Sequence, residues 1–269
     1  MHTETIEWNG HALFYRSTGA GPCVVLLHGF GEDGAIWHNQ WNELHGFRLL
    51  IPDLPGSGLS GMVPDLTLEA LADVIFNLLQ HENIERCTFI GHSMGGYIAL
   101  AFLEKYPQVV GGLGLFHSSA FADSDEKKEV RKKGIHFIEK QGAGIFLQTT
   151  IPNLYAPETK ENKSDLVQTH INGVKGASGE ALIAYYRAMM ARPDRTMLLQ
   201  QNKIPFLFVL GKHDTAVPLA DGLAQAHLPQ IAQVGLLEQS GHMGMVEQPD
   251  QSNELLQAFL ALIPLLNRT

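Results

Sequence analysis

Short, largely apolar runs recur along the chain at Cys23–Leu27, Phe47–Ile51, Cys87–Ile90, Val109–Phe116, Pro205–Gly211 and Ile231–Leu237. Runs that do not alternate with polar residues are what parallel strands buried on both faces require. Between them the period changes. From Leu66 to His81 the apolar positions Leu68, Leu71, Ile75, Leu78 and Leu79 share one side of a helix. Further helices are predicted over Ala35–Leu44, Gly96–Tyr106, Leu219–His227 and Asp250–Leu262. At the start of the chain Thr3–Trp8 and His11–Ser17 flank Asn9-Gly10, the signature of a tight antiparallel hairpin. Strands alternating with helices predict an α/β fold whose mostly parallel sheet is covered on both faces.

The alternation stops after Phe116 and returns near Pro205. The intervening stretch reads as helices broken at Gly142, Pro152, Pro157, Gly173, Gly176 and Pro193. It is predicted to be a helical cap over residues 118–203, inserted into a core formed by residues 1–117 and 204–269. Within the cap, the basic run Lys127–Lys133 is interleaved with Asp123, Asp125, Glu126 and Glu129, which marks a solvated helix face.

Composition narrows the partners. The formal charge is −9, so a polyanion would be repelled and no nucleic-acid partner is expected. No run approaches the length of a membrane span, and Met1–Thr5 lacks a basic and apolar leader, so a cytoplasmic protein with a small-molecule substrate is expected. Cys23 and Cys87 each open an apolar strand and read as buried, reduced thiols.

Chemistry enters at Gly91-His92-Ser93-Met94-Gly95, where the strand ending at Ile90 meets the small-residue helix from Gly96. Glycines two before and two after a serine remove side chains that would collide as strand turns sharply into helix. Ser93 then projects its hydroxyl at a helix N-terminus, where N–H groups and the helix dipole favour developing negative charge. A serine hydroxyl needs a base, and the base needs a carboxylate to hold its tautomer. Asp214 follows the strand ending at Gly211 and His242 follows the last strand. Both therefore fall at the C-terminal sheet edge, where open α/β sheets bind ligands. Asp123 and Asp125, after the strand ending at Phe116, are alternative acids. His28, His92 and His213 read as structural hydrogen-bonding groups, Asp53 as a tie within its own loop, and Trp37 and Trp41 as packing.

These motifs, with the order nucleophile, acid, base, resemble the α/β-hydrolase fold superfamily over nearly the whole chain. His28-Gly29-Phe30-Gly31 is similar to its oxyanion loop, Asp53-Leu54-Pro55-Gly56-Ser57-Gly58-Leu59-Ser60 to its D-x-x-G-x-G-x-S loop, and Met94-Gly95-Gly96 to the small residues after its nucleophile. The resemblance implies a sheet of about eight strands, Ser93, Asp214 and His242 as catalytic triad, and the N–H groups of Phe30 and Met94 as oxyanion hole. The expected activity is hydrolysis of a small ester, thioester or lactone through an acyl-enzyme, with no cofactor and no metal. Alternatives on the same scaffold are a carbon–carbon bond hydrolase or related lyase, and a non-catalytic ligand receptor. His117, at a strand end facing the cap, and Tyr185, Met189 and Met190 within it are the expected substrate contacts.

Overall fold

Asn9 and Gly10, at φ 51° and 82°, turn β1 (His2–Trp8) back into β2 (His11–Gly19) with the full hairpin register from His2↔Ser17 to Trp8↔His11. The computed structural model describes residues 1–174 and 176–266. After the hairpin come β3 (Cys23–Leu27), β4 (Arg48–Pro52), α1 (Leu68–His81), β5 (Cys87–His92), α2 (Met94–Lys105) and β6 (Val110–Phe116). Among the described residues only helices then follow: α3 (Asp125–Gln141), α4 (Ala143–Thr150), a 3-10 turn at Ile151–Leu154, α5 (Pro157–Asn162), α6 (Ser164–Gly173), α7 (Gly179–Ala191) and α8 (Thr196–Gln201). The chain ends with β7 (Phe206–Gly211), α9 (Leu219–Ala226), β8 (Ala232–Leu237), α10 (Gly244–Glu247) and α11 (Pro249–Leu266).

The eight strands form one sheet in the order β1-β2-β4-β3-β5-β6-β7-β8, antiparallel at β1–β2 and β2–β4 and parallel from β4 onward. This is the mostly parallel α/β sheet that the apolar runs predict. Its two faces explain why the runs are continuous. Along β3, Cys23, Val25 and Leu27 belong to the core under α1 and α2, while Val24 and Leu26 face the opposite core with Trp37 and Phe259. Cys23 and Cys87 are free, buried thiols, as expected, and burial pushes Cys23 up to about 12.

The crossover after β3 runs to β4 on one side, and the chain then returns to β5 on the other side of β3. Loops after β3 and β5 therefore diverge at a topological switch, which opens a crevice at the C-terminal sheet edge. Of the six helices between β6 and β7, α3 and α7 contribute residues to its wall.

One predicted element differs. The helix expected over Ala35–Leu44 is a 3-10 turn at Gly34–Trp37 followed by irregular turns. Trp37 is fully buried against Phe116, with ring centroids 5.5 Å apart. The neighbours Asn39 and Gln40 both donate to the Met245 carbonyl, at 3.3 and 3.1 Å. The backbone stays in tight turns, with His38 N–H on Ala35, Gln40 N–H on Trp37 and Glu43 N–H on Gln40, each three positions back.

Candidate active site

Ser93 sits between β5 and α2 with φ 50° and ψ −115°, a left-handed conformation unusual for a residue with a side chain. The turn is over-determined. Ser93 donates its N–H to the Phe116 carbonyl at 3.0 Å, and its own carbonyl accepts from Gly96 N–H at 3.0 Å and from Ser118 Oγ at 2.7 Å. A Cβ on Gly91 would meet the Gly95 backbone at 2.4 Å, and one on Gly95 would meet the Leu27 carbonyl at 2.4 Å. Only glycine fits either position, which is the steric basis of the motif seen in the sequence.

His242 and Asp214 arrive from the ends of β8 and β7. The His242 Nδ1–H donates to Asp214 Oδ2 at 2.8 Å, and both side chains are almost fully buried. Burial alone would lower the imidazole, but the charge of Asp214 and its hydrogen bond outweigh it and hold His242 above its usual range. Burial would raise Asp214, but the two histidines beside it hold it far below the carboxylate range. The remaining oxygen, Oδ1, accepts from the N–H groups of Ala216 and Val217 at 2.8 Å each. Asp123 is turned elsewhere, onto Arg131 and Arg192, and Asp125 is exposed. The acid in contact with His242 is Asp214.

Two buried carboxylates outside the sequence motifs brace the loops of this site. Glu32 Oε2 accepts from Gly29 N–H at 2.7 Å and from His92 Nδ1 at 2.9 Å, and the other ring nitrogen of His92 donates to the His242 carbonyl at 3.0 Å. The link ties the loop after β3 to the loop carrying His242. Burial works against the Glu32 charge, but His92 and the Gly29 amide hold its carboxyl down at about 2. Glu247 Oε1 accepts from the N–H groups of Gly241 and Met243, and Oε2 from Ala156 N–H and Thr159 Oγ1. His28 accepts from Leu54 N–H at 2.9 Å; Asp53 ties its own loop through Leu59 N–H and also joins it to Gly34 N–H in the loop after β3 and to Arg16 on β2. These are the structural roles expected of His28, His92 and Asp53.

A cavity of about 320 Å³ opens over Ser93. The core contributes Phe30, Glu32, Ser93, Tyr97, Thr215–Val217 and His242 to its walls, and the helical segment contributes Lys127, Val130, Arg131, Leu154, Tyr186 and Met189. Phe30 stacks on Tyr186 with centroids 4.2 Å apart. Of the expected substrate contacts, Met189 lines this cavity, and His117, Tyr185 and Met190 do not. Tyr185 is fully buried below it, donating to the Pro55 carbonyl at 2.6 Å and meeting Ser57 Oγ at 3.2 Å. His117 points beneath the site, with Nδ1 3.1 Å from Asp214 Oδ2. Helical spacing explains the exchange of tyrosines: adjacent positions on α7 face different ways, so Tyr186 takes the wall and Tyr185 the core.

Arg131 is not among the expected contacts, because the interleaved charges of α3 read as a solvated face. Its signal is positional: it follows Lys127 by one turn, and Gly134 and Ile138 continue the buried stripe. His117, Asp214 and His242 also place three possible metal-binding atoms within 4.8 Å of one another. These are the same atoms that form the two contacts on Asp214 Oδ2. Among the described residues, no helix is long and apolar enough to cross a membrane.

The chain belongs to the alpha/beta hydrolase family, whose model matches residues 24–255, and with it to a class of enzymes. It is 29% identical over 270 residues to a 2-hydroxy-6-oxononadienedioate/2-hydroxy-6-oxononatrienedioate hydrolase of Paraburkholderia phymatum, covering 92% of this chain and 90% of the relative. It is 30% identical over 250 residues to a pimeloyl-[acyl-carrier protein] methyl ester esterase of Aeromonas salmonicida, covering 90% and 96%. Among solved structures, a thermophilic esterase from Thermogutta terrifontis with malate bound superposes with a TM-score of 0.91 at 31% identity, covering 98% of this chain and 99% of that one.

Proposed function

We propose that the protein is a serine hydrolase that cleaves small carboxylic esters, thioesters or lactones through an acyl-enzyme. The observation that carries this reading is the strained Ser93 at the head of α2, sharing one cavity with a His242 whose other nitrogen is held by a buried, ionised Asp214. In this reading Ser93 Oγ attacks the carbonyl carbon while His242 Nε2 takes its proton, and the carbonyl electrons move onto oxygen. Met94 opens α2, so its N–H has no acceptor within the helix and is free to meet that oxyanion, together with the N–H of Phe30. His242 returns the proton to the leaving group. Water, deprotonated by the same imidazole, then attacks the acyl-enzyme and releases the acid. Asp214 stays ionised throughout and stabilises the imidazolium.

The esterase relatives support ester cleavage, and the dienedioate hydrolase among them makes a vinylogous diketone the competing substrate. The test is a panel of p-nitrophenyl esters of increasing acyl length, run beside a lactone and a meta-cleavage diketone, with fluorophosphonate labelling of Ser93. Ester or lactone turnover with labelling at Ser93 is expected. Turnover of the diketone alone would replace this reading with carbon–carbon cleavage, and labelling without any turnover would favour a receptor.

A further inference from the structure

We propose that the substrate's acyl part carries a carboxylate, and that Arg131, with Lys127 beside it, binds this anion on the wall of the cavity formed by α2, α3 and α7. The proposal rests on the serine-hydrolase reading and names the substrate class within it. The histidine that protonates the leaving group must stand next to it. Around His242 the cavity is walled by Leu154, whose carbonyl accepts the His242 N–H at 2.6 Å, and by Thr215–Val217, which follow Asp214. The leaving group belongs on that side. The acyl group is left to the other wall, where Tyr97, Arg131 and Met189 stand.

That wall has a positive charge to spare. The fully buried Asp123 carboxylate is held by two guanidiniums: Arg131 through Nε at 2.6 Å and Nη2 at 3.1 Å, and Arg192 through Nη1 at 2.8 Å. One anion between two permanent cations leaves one charge uncompensated, in a chain whose formal charge is −9. Arg131 grips Asp123 side-on, so the Nη1/Nη2 edge of its fork stays open, and among the described residues Nη1 has no partner. Arg131 lines the cavity, and Asp123 does not. Two parallel N–H groups on a planar edge match a carboxylate better than any neutral acceptor. The guanidinium is also pre-positioned, 5.5 Å from the centroid of Tyr186, which stacks on Phe30. Lys127 adds a second cation, with only a loose surface partner, Asp221, at 3.4 Å. The acidic group of this cavity, Glu32, is committed to Gly29 and His92 on the side of the β3 loop.

The experiment compares kcat/KM for monomethyl succinate, glutarate and adipate with the methyl esters of the corresponding monoamides, which keep the shape and lose the charge. The best-fitting carboxylate is expected to exceed its amide by about 10- to 100-fold, the range of a charge-assisted hydrogen bond. Arg131→Gln should lower the carboxylate ester far more than the amide and bring the ratio within about threefold of unity, while Arg131→Lys retains part of the preference. A wild-type ratio near one overturns the proposal without recourse to any variant, as does an Arg131→Gln protein that keeps the ratio. Turnover of the p-nitrophenyl esters with cleavage of neither series overturns the anion site and spares the hydrolase reading. Absence of both overturns the two together.

Discussion

His117 Nδ1 lies 3.1 Å from Asp214 Oδ2, the same oxygen that His242 Nδ1 reaches at 2.8 Å. One carboxylate oxygen thus receives two imidazole N–H groups. His117 is fully buried, has a left-handed φ of 48°, and presses its unpartnered Nε2 towards Gly244, where a Cβ would lie 2.3 Å away. Burial, opposed by Asp214, pushes His117 from 6.5 down to about 4, so the folded protein holds it neutral at physiological pH.

This depressed value has a consequence for stability. Between its ordinary value and its folded value, the unfolded chain binds a proton on His117 that the folded chain refuses, so stability is complete above the window and falls as pH drops through it. In urea unfolding, the advantage of wild type over His117→Asn should shrink by up to about 3 kcal/mol from pH 6.5 to pH 4. A difference that does not change with pH would show that His117 does not titrate in this way.

Under the proposed mechanism nucleophile and base act as a unit, so Ser93→Ala should lower ester turnover by about 10³-fold or more. Near-ultraviolet circular dichroism should be unchanged and fluorophosphonate labelling abolished. A variant that keeps most of its activity removes Ser93 from the role of nucleophile.

Asp214→Asn should cost about 10²- to 10⁴-fold in kcat, since an amide neither fixes the His242 tautomer nor stabilises its charge. The pH profile supplies a second reading. In the proposed mechanism catalysis needs a neutral His242, whose value is held above 6.5 in the wild type, so kcat/KM should rise with pH along a limb above that point. In the variant burial acts without the opposing charge, and the limb should move to lower pH. A limb that stays in place would mean that Asp214 does not set the basicity of His242.

Met189 and Tyr185 lie on one helix and should respond differently. Met189→Ala should alter relative kcat/KM along a series of acyl lengths by about 1–3 kcal/mol, because Met189 walls the cavity. Tyr185→Phe should leave that profile alone and lower thermal stability by about 1 kcal/mol, because its hydroxyl holds the Pro55 carbonyl. Reversal of the two phenotypes would place the acyl group below α7 instead of beside it.

The features legible in the chain itself are those set by neighbours in sequence. Strands announced themselves because burial on both faces demands unbroken apolar runs, and the Ser93 elbow because Gly91 and Gly95 have no room for a Cβ. Asp214 and His242 could be singled out because each stands immediately after a strand end. Contacts between distant segments decided the rest. Asn39 and Gln40 look helical until Met245, more than 200 positions away, takes a hydrogen bond from each. His117 offers no sign that its partner is Asp214, 97 positions on. Arg131 is one basic residue among several until Asp123, shared with Arg192, holds its guanidinium at the cavity wall. Local pattern reports which face of an element is buried, because burial repeats with the period of the backbone. Which groups meet inside, and which charges remain unpaired there, is decided only when the packed elements bring remote side chains within a few ångströms.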